Sequence, residues 1–207
     1  MSRRDSQSLD FQIPIAGPLS AATRALGCAR FAQVAEAVRT LPYGRVRDRE
    51  ESMTVLQERK GTCSSKHRFL AALAHECGRS DIVLTIGLYE MSEKNTSGVR
   101  LVLAPAGLDA ILESHCYLMY NGRRFDFTGL ASGLSSPFES LLEEHAVSPH
   151  NLASTKASYH REAMSRWAAL RKIDPELAWR IREDCISLLA NHTVDPSGLA
   201  TPALRAS

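Results

Sequence analysis

Residues 114–128 read SHCYLMYNGRRFDFT, and this stretch decides the fold. Two runs of residues that favour strands, 114–120 and 123–128, flank the dipeptide Asn121-Gly122. Asn-Gly between such runs is a strong signal for a β-hairpin, because both positions of its two-residue turn need a positive φ. The sequence therefore predicts an antiparallel hairpin here.

The predicted turn fixes which side chains of the hairpin share a face. Counting outward from the turn, Tyr117 lies opposite Asp126 and His115 lies opposite Thr128. Side chains alternate between the two faces along a strand, so His115 and Asp126 are expected on the same face. As diagonal neighbours they have backbones about 7–8 Å apart. A hydrogen bond between these two side chains is therefore within reach.

The opposite face of the hairpin is apolar and needs a cover. It carries Cys116, Leu118, Phe125 and Phe127. We expect the helices after residue 136, which supply Trp167 and Trp179, to cover this face. The helix that begins near Cys63 is expected to pack on the His115 face.

Apolar periodicity predicts the remaining elements on both sides of the hairpin. The predicted helices cover residues 20–41, 53–58, 62–78, 155–171 and a stretch that begins at 174, and the predicted strands cover 81–89 and 99–104. Ser136-Pro137-Phe138-Glu139 is typical of a helix start, with a capping serine and a proline at the first helical position. Helices, then antiparallel strands, then helices indicate an α+β fold.

Length and composition are typical of one globular domain. The chain has 207 residues, of which 44% are hydrophobic and 23% are charged, and this balance excludes a mostly disordered or low-complexity protein. We expect a single domain over 1–207, with a core over about 20–130 and a C-terminal helical part over about 136–192. Residues 1–18 are expected to form a surface arm, and 193–207 a loose tail.

Charge and hydropathy argue against several classes of partner. The 25 Lys and Arg residues are scattered and give a formal charge of only +2, whereas nucleic-acid-binding proteins usually cluster their basic residues. The apolar runs are shorter than the roughly 20 residues of a membrane span, and the first seven residues lack the apolar core of a secretory signal. We therefore expect a cytoplasmic protein that binds neither nucleic acid nor membrane.

The cysteines favour a reducing compartment. There are five: Cys28, Cys63, Cys77, Cys116 and Cys185. An odd number leaves at least one unpaired, and no spacing is CxxC. We expect reduced thiols, most of them small buried residues.

Cys63 is the candidate nucleophile because of its position in the chain. It follows the break at Gly61, and Thr62 or Cys63 can cap the helix that begins there. The unpaired amides and positive dipole end of a helix N-terminus stabilise a thiolate, which is the nucleophilic form of cysteine. The alternative is that Cys63 is only a small residue at a helix cap. Lys60 and Lys66 are interpreted as solvated charges.

The chain resembles the transglutaminase-like superfamily of papain-like cysteine enzymes. The resemblance covers roughly residues 50–130 and consists of Gly61-Thr62-Cys63 at a helix start, His115 on a strand, and Asp126-Phe127-Thr128 one hairpin later. Tyr117 stands where that family often has a tryptophan. The resemblance implies a cysteine-bearing helix packed on a small antiparallel sheet, with His and Asp on adjacent strands.

The resemblance also implies a mechanism and a set of roles. Cys63 would attack a carbonyl of a peptide or another amide-bearing substrate to form a thioester, with His115 as base and Asp126 as its orienting group. The Cys63 amide and Gln57, six residues earlier, would stabilise the oxyanion. Water would complete hydrolysis and an amine would complete transamidation. No cofactor or metal is implied.

Two other functions fit the same residues. A binding module could keep this fold without performing chemistry, since fold does not determine activity. Cys63 and His67 lie four residues apart on one helix face and could bind a metal ion, although His115 and Cys116 point to opposite faces of their strand. We otherwise expect His67 to be a half-exposed helix residue.

Overall fold

The structure, a computed structural model, describes residues 9–130 and 136–192. Its helices are α1 (Pro18–Ala25), α2 (Phe31–Thr40), α3 (Thr54–Glu58), α4 (Cys63–Glu76), α5 (Arg100–Leu103), α6 (Leu152–Arg171) and α7 (Pro175–His192). Its strands are β1 (Val83–Ser92), β2 (Ala110–Tyr120), β3 (Arg123–Phe125) and β4 (Leu141–Ala146). The tail predicted over 193–207 lies outside the described residues.

The strands form one antiparallel sheet in the order β3-β2-β1-β4, and the α+β class is confirmed. The predicted hairpin is present in the predicted register, with Tyr120 paired to Arg123. Asn121 and Gly122 have φ values of 47° and 70°, as their turn requires. The predicted second strand was too long, because β3 ends at Phe125 and residues 126–128 leave the ladder.

Helix α4 does not pack on the His115 face of the hairpin, so the expectation for this helix is wrong. The fully buried apolar residues of α4, among them Phe69 and Leu73, join one core with Cys116 and Leu118 of β2. The helix therefore packs on the Cys116 face, where apolar surface meets apolar surface, because the His115 face carries polar residues. Helices α6 and α7 build a second core against the other half of β1 and β2.

Three other elements differ from the sequence-based expectation. The helix predicted over 20–41 is two helices, separated at Gly27, whose φ is +81°. The strand predicted over 99–104 is wrong: the Glu93 carboxylate accepts hydrogen bonds from the amides of Gly98 and Arg100, and the chain turns into α5. Ser136 caps only a short 3₁₀ turn, and the exposed strand β4 that follows it was not predicted.

The N-terminal arm is held more closely than expected. Its described part begins at residue 9, and both Leu9 and Ile13 are buried in the core with α2. The amide of Ile13 donates to the carbonyl of Ala29, and the amide of Phe31 donates to the carbonyl of Phe11. Residues 9–13 are therefore part of the packed structure, and not a surface arm.

Lys66 joins three parts of the fold, contrary to its interpretation as a solvated charge. Its side chain is fully buried, and its ammonium group donates to the carbonyls of Arg39, Leu41 and Thr128 at 3.3, 2.6 and 2.7 Å. Burial lowers its pKa to about 8. Lys66, which belongs to α4, thereby joins the segment after β3 to the end of α2.

We predict that Gly129→Ala destabilises the protein far more than Gly107→Ala does. Both glycines have positive φ, +76° and +71°, so both substitutions carry the left-handed penalty of about 1–2 kcal/mol. A Cβ at Gly129 would also overlap the backbone carbonyl oxygen of Arg39, whereas a Cβ at Gly107 meets nothing within 4 Å. Urea unfolding of the two variants measures the difference, and equal losses would contradict this close approach.

Candidate active site

Cys63, His115 and Asp126 meet at the edge of β2. Cys63 is the first residue of α4, His115 lies in β2, and Asp126 follows β3 directly. One edge of β2 pairs with β1 along its length, whereas the other pairs with β3 only at residues 118–120. On this second edge, His115 has no strand partner among the described residues. That edge is therefore open to the N-terminus of α4 and to Asp126.

Asp126 holds the His115 ring. The distance from His115 Nε2 to Asp126 Oδ2 is 2.8 Å, so the predicted contact between the two side chains is present. The other carboxylate oxygen, Oδ1, accepts from the amide and the hydroxyl of Thr128 at 2.9 and 2.6 Å. Burial raises the pKa of Asp126, but the neighbouring His115 and these hydrogen bonds hold it well below its usual range. The group is an ionised carboxylate.

The surroundings of His115 favour its charged imidazolium form next to Cys63. Burial lowers its pKa, but the Asp126 carboxylate and Cys63 outweigh this and raise the pKa to about 10. Since Nε2 is bound to Asp126, Nδ1 is the ring nitrogen that can exchange a proton with Cys63. The side chain is largely buried, which keeps this pair away from bulk water.

The Cys63 thiol is arranged to be a thiolate. A hydrogen bond from the Cys116 thiol lowers its pKa most, burial opposes this, and the charges of Lys156 and His115 lower the pKa further. Conversely, burial and the neighbouring Cys63 raise the pKa of Cys116 well above its usual value. His115 and Cys116 do point to opposite faces of β2, but Cys63 lies at the strand edge and interacts with both.

Lys156 is the residue of this site that the sequence analysis missed. Its Nζ lies 3.6 Å from Cys63 Sγ and 2.9 Å from Ser64 Oγ. Burial lowers its pKa, but Cys116 and Cys63 raise it overall, so the amine is charged. One signal could have found it: Lys156 shares a helical stripe with the buried residues His160, Ala163 and Trp167, where a lysine is out of place.

Two cavities meet at Cys63. One, of about 140 Å³, lies between α4, α6 and α7 and is lined by Cys63 and Lys156. The other, of about 250 Å³, is lined by Cys63, His115 and Asp126. Cys63 is only 8% exposed and belongs to the apolar core of α4, but it also lines both cavities.

Gln57 does not reach this site. It lies in α3 and lines neither of the two cavities at Cys63. The structure therefore gives no support to its predicted role as an oxyanion donor.

His67 has a structural position, contrary to the expectation of a half-exposed residue. It is fully buried; its Nδ1 lies 2.8 Å from the carbonyl oxygen of Cys63, and its Nε2 accepts from the amide of Phe127 at 2.7 Å. Burial lowers its pKa, so the ring is neutral. With both nitrogens engaged, His67 has no lone pair free for a metal ion or for a proton from Cys63.

Comparison with known proteins assigns no function, so the function is inferred from the geometry of the site. No protein-family model, curated protein or solved structure matches this chain. Within residues 9–130 and 136–192, no three His, Cys, Asp or Glu side chains are grouped so that they could hold a metal ion. In the same ranges, every helix is too short or too polar to cross a lipid bilayer.

Proposed function

We propose that the protein catalyses acyl transfer or amide hydrolysis through a thioester on Cys63, with His115 as acid and base and Asp126 as its orienting group. The observation that carries the proposal is the 2.8 Å bond from His115 Nε2 to Asp126 beside a thiol whose pKa is lowered. A buried cysteine with a structural role gains nothing from such an arrangement, because burial alone raises a thiol pKa.

The mechanism follows from the charges of the site. The Cys63 thiolate attacks the carbonyl carbon, and the electron pair of the C=O bond moves to the oxygen. The backbone amide of Cys63, in the first turn of α4, has no acceptor within the helix and is available to that oxyanion. One such donor contributes about 3–4 kcal/mol to catalysis.

Proton transfer through His115 completes both halves of the reaction. The imidazolium gives its proton to the leaving amine as the C–N bond breaks, which leaves a thioester and a neutral imidazole. The imidazole then takes a proton from water or from an acceptor amine as that nucleophile attacks the thioester. The order of Cys63, His115 and Asp126 supports a transglutaminase-like cysteine enzyme that acts on a peptide or another amide-bearing substrate.

Alkylation of Cys63 tests the proposal without a known substrate. We predict that the rate at which iodoacetamide alkylates Cys63 depends much less on pH between pH 6 and 8 than the rate of an ordinary thiol, because the pKa of Cys63 is well below the usual value. An ordinary thiol, with a pKa of about 8.5, reacts about tenfold faster for each pH unit in this range. Mass spectrometry of the digested protein separates Cys63 from Cys28, whose pKa is raised by burial.

The matched variant for this test is His115→Ala. Without the imidazolium, the pKa of Cys63 is expected to rise, so its rate at pH 6 should fall while the rate of Cys28 stays unchanged. If Cys63 in the unchanged protein followed the same steep pH dependence as Cys28, the protein would be a binding module that performs no chemistry.

A further inference from the structure

Lys156 is a partly buried cation for which the proposed triad has no use. It comes from α6, which lies outside the region of resemblance, and its Nζ approaches the sulfur to 3.6 Å. It forms no ion pair with a carboxylate in the described part of the chain; its closest partners are Ser64 Oγ and the Cys63 sulfur. Taking an ammonium group out of water is costly unless a negative charge accompanies it, and the Cys63 thiolate and the Glu113 carboxylate supply that charge.

The other cations of the same cavity already have partners or lie at its surface. Arg182 donates to Glu113 and Glu183, and Arg45 donates to Glu183. Arg49 lines the cavity but is exposed to solvent. Lys156 is thus the cation that is directed at the reacting atom.

Lys156 and His115 line different cavities at Cys63. The lysine lines the cavity between α4, α6 and α7, whereas the histidine lines the other cavity, and Cys63 is common to both. A carbonyl group bound at the sulfur can therefore place its leaving amine toward His115 and its oxygen toward Lys156.

The position of Lys156 suits the movement of negative charge from the sulfur to the carbonyl oxygen during the reaction. When the thiolate attacks, the negative charge leaves the sulfur and appears on an oxygen two bonds away. An ammonium group 3.6 Å from the sulfur is within hydrogen-bonding reach of that oxygen. Because Ser64 Oγ fixes Nζ at 2.9 Å, the cation need not reorganise as the charge moves.

We propose that Lys156 is a catalytic residue that pairs first with the Cys63 thiolate and then, together with the Cys63 amide, with the oxyanion of the tetrahedral intermediate. The inference rests on the proposed function. It assigns to a lysine of the C-terminal helices the role that the sequence analysis gave to Gln57.

The test compares two reagents on Lys156→Met, which removes the charge and keeps much of the side-chain length. p-Nitrophenyl acetate acylates Cys63 through an oxyanion, whereas iodoacetamide alkylates it without one. We expect the maximal alkylation rate, reached where the thiolate is fully formed, to match that of the unchanged protein. At the same pH, acylation should be about 100-fold slower, the effect of losing one oxyanion donor.

Two further variants complete the test. Lys156→Arg keeps the charge and should recover part of the acylation rate, whereas Arg49→Met removes a charge from the same cavity without touching the sulfur and should change acylation less than threefold. Equal losses in acylation and alkylation would overturn the inference, as would equal losses in Lys156→Met and Arg49→Met. Slow and steeply pH-dependent alkylation in the unchanged protein would instead remove the proposed function itself.

Discussion

Cys63→Ala abolishes acyl transfer: with p-nitrophenyl acetate we expect no acyl-enzyme and a turnover no faster than the buffer. Cys63→Ser is expected to be equally inactive, because a serine hydroxyl does not ionise near neutral pH and the site is built around a thiolate. Intact-mass measurement after a short reaction detects the acyl group. The fold should survive both changes, since each alters only the sulfur atom of a residue that borders two cavities, and the other residues of the α4 core, among them Phe69 and Leu73, stay unchanged.

Cys28→Ala is the matched control for this prediction. Cys28 is a half-buried thiol with a raised pKa; it lies between α1 and α2 and lines neither cavity at Cys63. Its variant should retain the acylation rate of the unchanged protein. Acylation that persisted in Cys63→Ala and disappeared in Cys28→Ala would assign the chemistry to another residue.

Asp126→Asn is expected to lower acyl transfer about 10⁴-fold while the fold remains intact, the size of effect known for an orienting aspartate in a catalytic triad. The reason lies in the hydrogen bonds of the two carboxylate oxygens. Oδ1 accepts twice from Thr128, so the asparagine carbonyl oxygen takes this position and its NH₂ group faces His115. The ring must then present an unprotonated Nε2, and its proton moves to Nδ1, where the base is needed.

The pH dependence of the same variant gives an independent check. In the unchanged protein the carboxylate keeps His115 protonated up to about pH 10, so the imidazolium that protonates the leaving group is lost only above that pH. Without the carboxylate, the pKa of His115 falls toward 6.5, and the alkaline limit of acyl transfer should move down with it. Asp81→Asn, at an exposed partner of Arg79, is the control. An unchanged rate and alkaline limit in Asp126→Asn would exclude Asp126 from the triad.

The hairpin and the His115–Asp126 contact could be predicted because both depend on local chemistry. Asn121-Gly122 sets the register of two adjoining strands, and the register decides which side chains share a face. Asp126 lies one residue past the end of β3, where the amide and hydroxyl of the nearby Thr128 orient its carboxylate. The start of α4 at Cys63 was predictable for a similar reason, since Gly61 and Thr62 mark it in the sequence.

What the sequence did not reveal depends on contacts between distant segments. Lys156 reaches Cys63 only through the packing of α6, 93 residues later in the chain. The sequence predicts a solvated Lys66 and a half-exposed His67, because these residue types usually lie at the surface. In the structure, carbonyls and an amide from remote segments satisfy both side chains in the interior. The strand predicted over 99–104 is absent because the Glu93 carboxylate accepts from the amides of Gly98 and Arg100 and favours a helical turn there. Apolar periodicity contains no information about such a contact.

The paired anchors Lys66 and His67 have a consequence for how the cleft can open. Both lie in the first turns of α4, and they bind the segment around Asp126 through the backbone of Thr128 and Phe127. Hydrogen bonds therefore tie the nucleophile and the carboxylate together, whereas Lys156 comes from α6, whose buried apolar residues other than Leu152 belong to the second core. Admission of substrate or escape of product by a displacement of α6 would separate the ammonium from the sulfur and leave the hydrogen bonds that join α4, the Asp126 segment and His115 in place.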